Sequence, residues 1–397
     1  MATPALVYLD HAAATPVHPE VAAAIVEAQA IAYGNPSSQH ALGRAARRVL
    51  EDARERIVAA IGGSGTGLHR DRLVFTSGAS EANHLGLLGM TAASATVGEV
   101  LFSRRDHPSS VNAALVAGSR GWRLRELSLD AAGTAGAAFA VARADAVGPQ
   151  IASLTLVCGQ TGSIEDLAVM AALPSAAGRH PRLVHLDATQ AAGLMAIDFQ
   201  ALPAATLSLA PHKFGGPRGI GGLVIRGGVA IEPVQAGPQE SGLRGGTEAV
   251  PLAAGFARAI ELAVADREQA AQRVASLRDR LESRLVAAAR QAGIPAIVIV
   301  ADARRCPHSS TIAFPGLDRQ ALAMAADLAG VCLATGTACA SGSSEPSPAL
   351  VAMGLGADVI HGAVRISVGR TTTEADIDQA VARLTPLLHH PKSDAHL

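Results

Sequence analysis

The chain has 397 residues, 49% of them hydrophobic and 17% charged, with a formal net charge of −1. This balance excludes a disordered chain, and it carries no electrostatic footprint for nucleic acid or an anionic membrane, which leaves small ligands as the expected partners. The length exceeds that at which one core usually splits, so two domains are expected; no basic leader opens the sequence and no run of ~18 uncharged apolar residues occurs, so the protein is expected in the cytoplasm and not in a membrane.

In chain order, short runs of Val, Ile and Leu alternate with Ala-rich helical stretches from about residue 16 to 250. That alternation is the signature of βαβ units around a largely parallel sheet. Strands are predicted at residues 72–76, 100–102, 152–157, 183–187, 206–209 and 222–225, each followed by Gly, polar or turn residues. In such sheets ligands gather at the carboxyl ends of the strands.

After Pro251 an Ala-, Arg- and Glu-rich stretch predicts one or two long helices, stopped by Gly293 and Pro295. A smaller α+β unit follows, with strands predicted at 296–300 and 362–368 and a Gly/Ser-rich loop at 335–344. The expected fold class is therefore α/β: a large, mainly parallel sheet sandwiched by helices (residues 16–255), plus a smaller α+β domain (1–15 and 256–397). No internal repeat is visible.

Lys213 stands out chemically. Lys and Arg together number 33, yet the only lysines are Lys213 and Lys392. Lys213 sits in the apolar segment Leu207-Ser208-Leu209-Ala210-Pro211-His212-Lys213-Phe214, where a mere positive charge would on this chain's habit have been Arg. A desolvated amine can lose its proton and attack a carbonyl to form a Schiff base, which guanidinium cannot do. Coding bias that spared one lysine by chance, or a salt bridge, is the competing explanation.

Asp187 ends the predicted strand 183–187 and precedes Lys213 by 26 residues, about one strand-to-strand excursion. A carboxylate there can keep a pyridinium nitrogen protonated while the lysine carries pyridoxal phosphate; without Lys213, Asp187 reads first as a helix cap. Thr76-Ser77-Gly78-Ala79-Ser80-Glu81-Ala82-Asn83 follows a strand and opens a helix, offering backbone N–H groups to a phosphate, although Ser80 and Glu81 are also ordinary helix-start residues. His107, in the loop after the next strand, can stack on a ring or simply be solvated. Cys158, Cys306, Cys332 and Cys339 form no CxxC pair and no ligand cluster, so neither a zinc site nor a disulfide framework is indicated.

The segments Tyr8-Leu9-Asp10-His11-Ala12-Ala13-Ala14-Thr15-Pro16, Gly34-Asn35-Pro36-Ser37-Ser38, Ser77 to Asn83, Asp187-Ala188-Thr189-Gln190, His212-Lys213, Gly216-Pro217-Arg218-Gly219, Gly245-Gly246-Thr247-Glu248 and Arg365-Ile366-Ser367-Val368-Gly369-Arg370 resemble, in order, the motifs of the cysteine desulfurases. These are class V, fold-type I pyridoxal phosphate enzymes, and the similarity runs along nearly the whole chain. The resemblance implies that Lys213 is the Schiff-base lysine, Asp187 the partner of the pyridine nitrogen, Gln190 the donor to the ring oxygen and His107 the residue stacked on the ring. It implies that Ala79, Ser80 and His212 hold the phosphate, that Thr247 reaches the phosphate of a neighbouring subunit in a homodimer with composite sites, and that Arg365 and Asn35 bind the substrate.

Thr335-Gly336-Thr337-Ala338-Cys339-Ala340-Ser341-Gly342 is similar to the active-site loop of the group that includes the iron-sulfur-assembly desulfurases. On that resemblance Cys339 is the nucleophile that takes sulfur from L-cysteine, leaving alanine and a persulfide for an acceptor protein or small thiol, with His107 moving protons. Without the surrounding motif, Cys339 reads as an ordinary buried cysteine.

Two positions depart from the family pattern. Gly159, in Cys158-Gly159-Gln160-Thr161-Gly162, replaces an asparagine that contacts the ring oxygen, a contact left to Gln190 or to Gln160, and Ala210 replaces a serine that contacts the phosphate. Weaker cofactor retention is expected, since each lost hydrogen bond costs about 0.5–1.5 kcal/mol. Other class V activities, such as selenocysteine lyase or another lyase or aminotransferase, and a non-catalytic relative, remain as alternatives. The tail, ending Leu387-Leu388-His389-His390-Pro391-Lys392, does not resemble the scaffold-docking end of the iron-sulfur-assembly members.

Overall fold

The computed structural model describes residues 6–144, 148–166, 182–336 and 345–388. Cys339 and the rest of 337–344, together with Lys392, lie outside them. The strands in chain order are β1 (Val7–Tyr8), β2 (Arg72–Thr76), β3 (Glu99–Phe102), β4 (Arg123–Glu126), β5 (Gln150–Thr155), β6 (Arg182–Asp187), β7 (Thr206–Leu209), β8 (Gly221–Ile225), β9 (Ile297–Val298), β10 (Ser309–Ala313), β11 (Val331–Cys332) and β12 (Ala363–Ser367).

Among the described residues, seven strands form one sheet in the order β2-β8-β7-β6-β5-β3-β4. Each pairing is parallel except those of β8, which runs antiparallel to both β2 and β7. The parallel strands therefore end on one edge, and the segments that follow β2, β3, β5, β6 and β7 converge there. These segments begin at Ser77, Ser103, Leu156, Ala188 and Ala210.

Helices cover the sheet. The Ala41–Ala60 helix buries Ala46, Leu50, Ala53 and Ile57 at alternating steps of four and three, one stripe of a helix, and packs on the Val250–Ala265 helix. The Ala79–Ala93 helix is buried along most of its length between sheet and neighbours, as its Leu85, Leu87, Leu88 and Met90 require. The main core gathers Leu101, Leu154, Val184, Leu186, Leu207 and Phe256. A second core joins Val7 and Leu9 to Leu281 and Leu285 of the Arg267–Gln291 helix, to Ile312 and Phe314, and to Val364 and Ile366.

The smaller sheet is antiparallel, in the order β12-β10-β9, and β1 pairs in parallel with β11. The strand predicted at 296–300 shrinks to Ile297–Val298, because the chain turns at Val300, whose φ is 55°. β10 was not predicted; Ser309-Ser310-Thr311 reads as a polar loop, yet all five residues of the strand are buried. β4 was missed for the opposite reason, being a partly exposed edge of charged residues. The long helical stretch resolves into two helices, Val250–Ala265 and Arg267–Gln291. Among the described residues no helix is long and apolar enough to cross a membrane.

Candidate active site

Lys213 is delivered by a single tight turn, Pro211–Lys213, directly after β7. The turn closes through Gly215 at φ 85° and Gly216, where an added Cβ would meet that of Pro211 at 2.4 Å. Lys213 Nζ donates to Ala12 O at 2.6 Å and to Ala13 O at 2.9 Å. That N-terminal loop is tied down from two sides: Ala12 N donates to Ser367 Oγ at 2.8 Å and Thr15 Oγ1 to His212 O at 2.9 Å. His212 is pushed down to about 4 by burial and then by the cations Lys213 and Arg218, so its ring is neutral at neutral pH.

Asp187, the last residue of β6, is 3% exposed and held at both carboxylate oxygens. Its Oδ1 accepts from Thr189 N at 2.9 Å and its Oδ2 from Asn83 Nδ2 at 2.9 Å. Asn83 Nδ2 also donates to Ser109 Oγ at 2.9 Å, and that hydroxyl lies 2.7 Å from His107 Nδ1. One continuous line of hydrogen bonds thus joins His107 to Asp187. Behind it, Asn83 Oδ1 meets His185 Nε2 at 3.0 Å, and His185 Nδ1 lies 2.9 Å from Thr206 Oγ1. Burial holds His185 down at about 4, so it is a neutral hydrogen-bonding ring.

The Ala79–Ala93 helix opens on Gly78, which supplies no side-chain cap, so the first-turn N–H groups are left for a ligand. A Cβ at Gly78 would meet nothing within 4 Å, while one at Gly221, across from it, would strike Gly78 C at 2.5 Å. The cradle is thus open on one side and closely backed on the other. Ala79 is half-buried and Ser80 exposed at its rim. Nearby along the sheet edge, the buried hydroxyls Thr189 Oγ1 and Ser208 Oγ have no partner among the described residues, and Ala210 is fully buried. Open helix N–H groups, buried hydroxyls without partners and a carboxylate already oriented make a polar cleft that fits a phosphorylated ring.

Gln190 Nε2 donates to Ala12 O at 2.9 Å, the same carbonyl that holds Lys213. A Cβ at Gly159 would lie 3.6 Å from that amide nitrogen, so Gly159 borders Gln190. Arg365, on β12 and 4% exposed, donates to Gly159 O at 2.9 Å and to Asp10 Oδ1 at 2.8 Å, while its buried Nε has no partner among the described residues. Gln160 is buried, neither of its amide atoms finds a partner among the described residues, and a Cβ at Gly336 would fall 1.7 Å from its Oε1. A cavity of about 550 Å3 opens beside Lys213, lined also by His11, Phe214, His308 and Arg370.

Lys213, Gln190 and Arg365 thus join one network around the Asp10–Ala13 loop, and Asp187 and His107 join a second, at the ends of β3 and β6. Asn35 and Thr247 are exposed, and the Asn35 side chain accepts from its own Ser37 N at 2.9 Å. Cys339 lies outside the described residues. Sequence reasoning gave no role to Asn83, His185, Asp10 or His308. Asn83 carried a weak signal, since it stands one helical turn after Ala79 at the expected cradle.

The fold and cleft are those of an α/β enzyme that gathers its chemistry at the carboxyl edge of a mainly parallel sheet. The family model for aminotransferase class-V matches residues 7–380. A cysteine desulfurase of Cereibacter sphaeroides is 34% identical over 392 residues, covering 96% of this chain and 95% of its own. Among solved structures, a NifS-like protein superposes with a TM-score of 0.85 at 26% identity, over 96% of this chain and 99% of its own. A structure of SspA in complex with cysteine superposes with a TM-score of 0.72 at 25% identity, over 92% of this chain and 99% of its own. The chain belongs to the class-V aminotransferase family, within its cysteine desulfurases.

Proposed function

We propose that the protein is a pyridoxal phosphate-dependent cysteine desulfurase that takes sulfur from L-cysteine, releases L-alanine and passes the sulfur from Cys339 to an acceptor protein or small thiol. The observation that carries this reading is the shared acceptor Ala12 O, which receives Lys213 Nζ at 2.6 Å and Gln190 Nε2 at 2.9 Å. It puts the one lysine of the described residues beside the segment that begins with Asp187.

Lys213 would anchor the cofactor, Asp187 would face its ring nitrogen, Gln190 its ring oxygen and His107 its face, with the phosphate in the cradle of Ala79, Ser80 and His212. When bound, that group supplies an electron sink for a carbanion at the substrate Cα. Asp187 suits its task because Asn83 and Thr189 fix both oxygens of its carboxylate. Lys213 Nζ, at the mouth of the cleft, would be the base that takes the Cα proton. Arg365 receives the substrate carboxylate in a bidentate pair, exchanging the Asp10 carboxylate for it. The thiolate of Cys339 then bonds to the substrate sulfur as the Cβ–S bond breaks; the electron pair stays with carbon, and a proton completes the methyl of alanine. His107, backed by Ser109, is placed to move protons between the thiols and the cleft.

Thr247 and Asn35 are exposed in the single chain, which supports a homodimer whose sites are completed across the interface. In the same reading, residues 16–255 form the cofactor-binding domain and 1–15 with 256–397 the domain that carries the Cys339 loop. The test is to supply the purified protein with L-cysteine and a thiol reductant while measuring alanine and sulfide. Alanine and sulfide are expected in step, with Cys339→Ala silent in both; sulfide release unchanged in that variant would overturn the persulfide route. Failure of the protein to develop visible absorption with added pyridoxal phosphate would overturn the cofactor assignment.

A further inference from the structure

Four groups run in line from the interior to the cleft. Cys306 Sγ lies 3.1 Å from His308 Nδ1, His308 Nε2 lies 3.3 Å from Gln190 Oε1, and Gln190 Nε2 donates to Ala12 O at 2.9 Å. His308 also lines the cavity beside Lys213. Neither Cys306 nor His308 has a part in the chemistry described above.

The direction of every bond in this line follows from its last member. A carbonyl only accepts, so the amide nitrogen of Gln190 must face Ala12, which turns Oε1 toward His308. That oxygen also only accepts, so His308 Nε2 carries the ring proton. A neutral imidazole has one N–H, so Nδ1 is a bare acceptor, and the Cys306 thiol donates to it at 3.1 Å in preference to Gln190 O, which is farther at 3.8 Å.

Burial keeps the line in this state. Cys306 is 0% exposed and its thiol is pushed up to about 12, so it retains its proton. His308 is 6% exposed and pushed down to about 3, first by burial and then by Arg365, His11, Lys213 and Arg278, so it stays neutral.

We propose that His308, whose Nδ1 is seated on the Cys306 thiol, is a positioning residue that locks the Gln190 amide with one N–H on Ala12 O and the other turned to the ring oxygen of the cofactor. The proposal rests on the reading of the cleft as a pyridoxal phosphate site. It gives this chain a specific use for the relay: Gly159, which borders Gln190, brings no side chain to that oxygen, so the orientation of the Gln190 amide bears directly on how it is held.

The wild type, His308→Gln, His308→Leu and Cys306→Val are titrated with pyridoxal phosphate. The readouts are the dissociation constant, the pH midpoint of the bound cofactor's visible band, and the melting temperature of the cofactor-free protein. His308→Gln keeps an amide donor where Nε2 stood and is expected to behave as wild type. His308→Leu is expected to raise the dissociation constant about 2–10-fold, the worth of one hydrogen bond. It is also expected to move the midpoint to higher pH, because a ring oxygen without its donor holds a proton longer.

Cys306→Val frees the tautomer and should shift the midpoint in the same direction by less. A His308→Leu protein with wild-type affinity and midpoint overturns the proposal, as does a His308→Gln protein that shifts as far as His308→Leu. Should His308→Leu not fold, an unshifted Cys306→Val midpoint overturns it instead. A wild type that takes up no pyridoxal phosphate refutes the reading of the cleft itself, an outcome separable from an intact site that ignores His308.

Discussion

Asn83 Nδ2 donates to Asp187 Oδ2 at 2.9 Å, while its Oδ1 meets His185 Nε2 at 3.0 Å. The helix after β2 therefore sets the carboxylate at the end of β6, across the sheet edge. Asn83→Ala leaves the buried His185 N–H and one carboxylate oxygen without this partner, each worth about 1–3 kcal/mol when unmet. A lower melting temperature and a higher dissociation constant for pyridoxal phosphate are expected together, the first by calorimetry and the second by absorbance titration.

Gly159→Asn tests the departure from the family pattern. The backbone of Gly159 needs no positive φ, and its nearest neighbours to an added Cβ are Gln190 atoms at 3.6 and 3.8 Å, ordinary contact distances. The asparagine should be accepted without loss of stability and should add one hydrogen bond to the ring oxygen. A cofactor dissociation constant about 2–10-fold lower than wild type is the expected result.

Lys213→Ala removes the amine from Ala12 O and Ala13 O at the cleft. The variant is expected to fold, to lose the visible band of the lysine-bound cofactor, and to release neither alanine nor sulfide. Lys213→Arg should fail in the same way, since guanidinium keeps its proton and cannot attack a carbonyl. Absorbance spectra and product assays on both variants check this.

Arg365→Lys keeps the charge but loses the planar fork that now spans Gly159 O and Asp10 Oδ1. KM for L-cysteine is expected to rise about 10–100-fold with cofactor absorption unchanged, the range for losing a charge-assisted pair. Steady-state kinetics with parallel spectra separate substrate from cofactor effects.

Stability should fall on mild acidification. His11, His185 and His212 are pushed down to about 4 and His308 to about 3, chiefly by burial, against 6.5 in the unfolded chain. Below pH 6.5 the unfolded chain takes up protons that the folded one refuses, so folding loses free energy as pH falls from about 6.5 to about 4. Asp106, pushed up to about 7 by burial, acts in the opposite sense, since it binds its proton more readily when folded. Four groups against one should prevail, and melting temperatures measured between pH 7 and pH 4 are expected to decline steadily.

Much of the sheet was legible because its strands are apolar runs bounded by Gly and polar residues; β2 and β7 begin and end where the sequence predicts. β10 was illegible because its buried Ser309, Ser310 and Thr311 look like loop residues until two neighbouring strands pair with them. β8 gave no hint of its antiparallel direction, since alternation and burial are the same in either sense.

The sequence by itself determined which groups are candidates for the chemistry: a lone lysine in an apolar segment after a strand, and a carboxylate at the end of another, declare residue type and local setting, which neighbours in the chain encode. Only the tertiary structure decided how those groups are held. Asn83 and Asp187, 104 residues apart, and Cys306–His308 and Gln190, more than 100 apart, meet through hydrogen bonds whose partners no local pattern can pair. Donors and acceptors are satisfied by whatever the fold brings within about 3 Å, and that distance is a property of packing rather than of spacing along the chain.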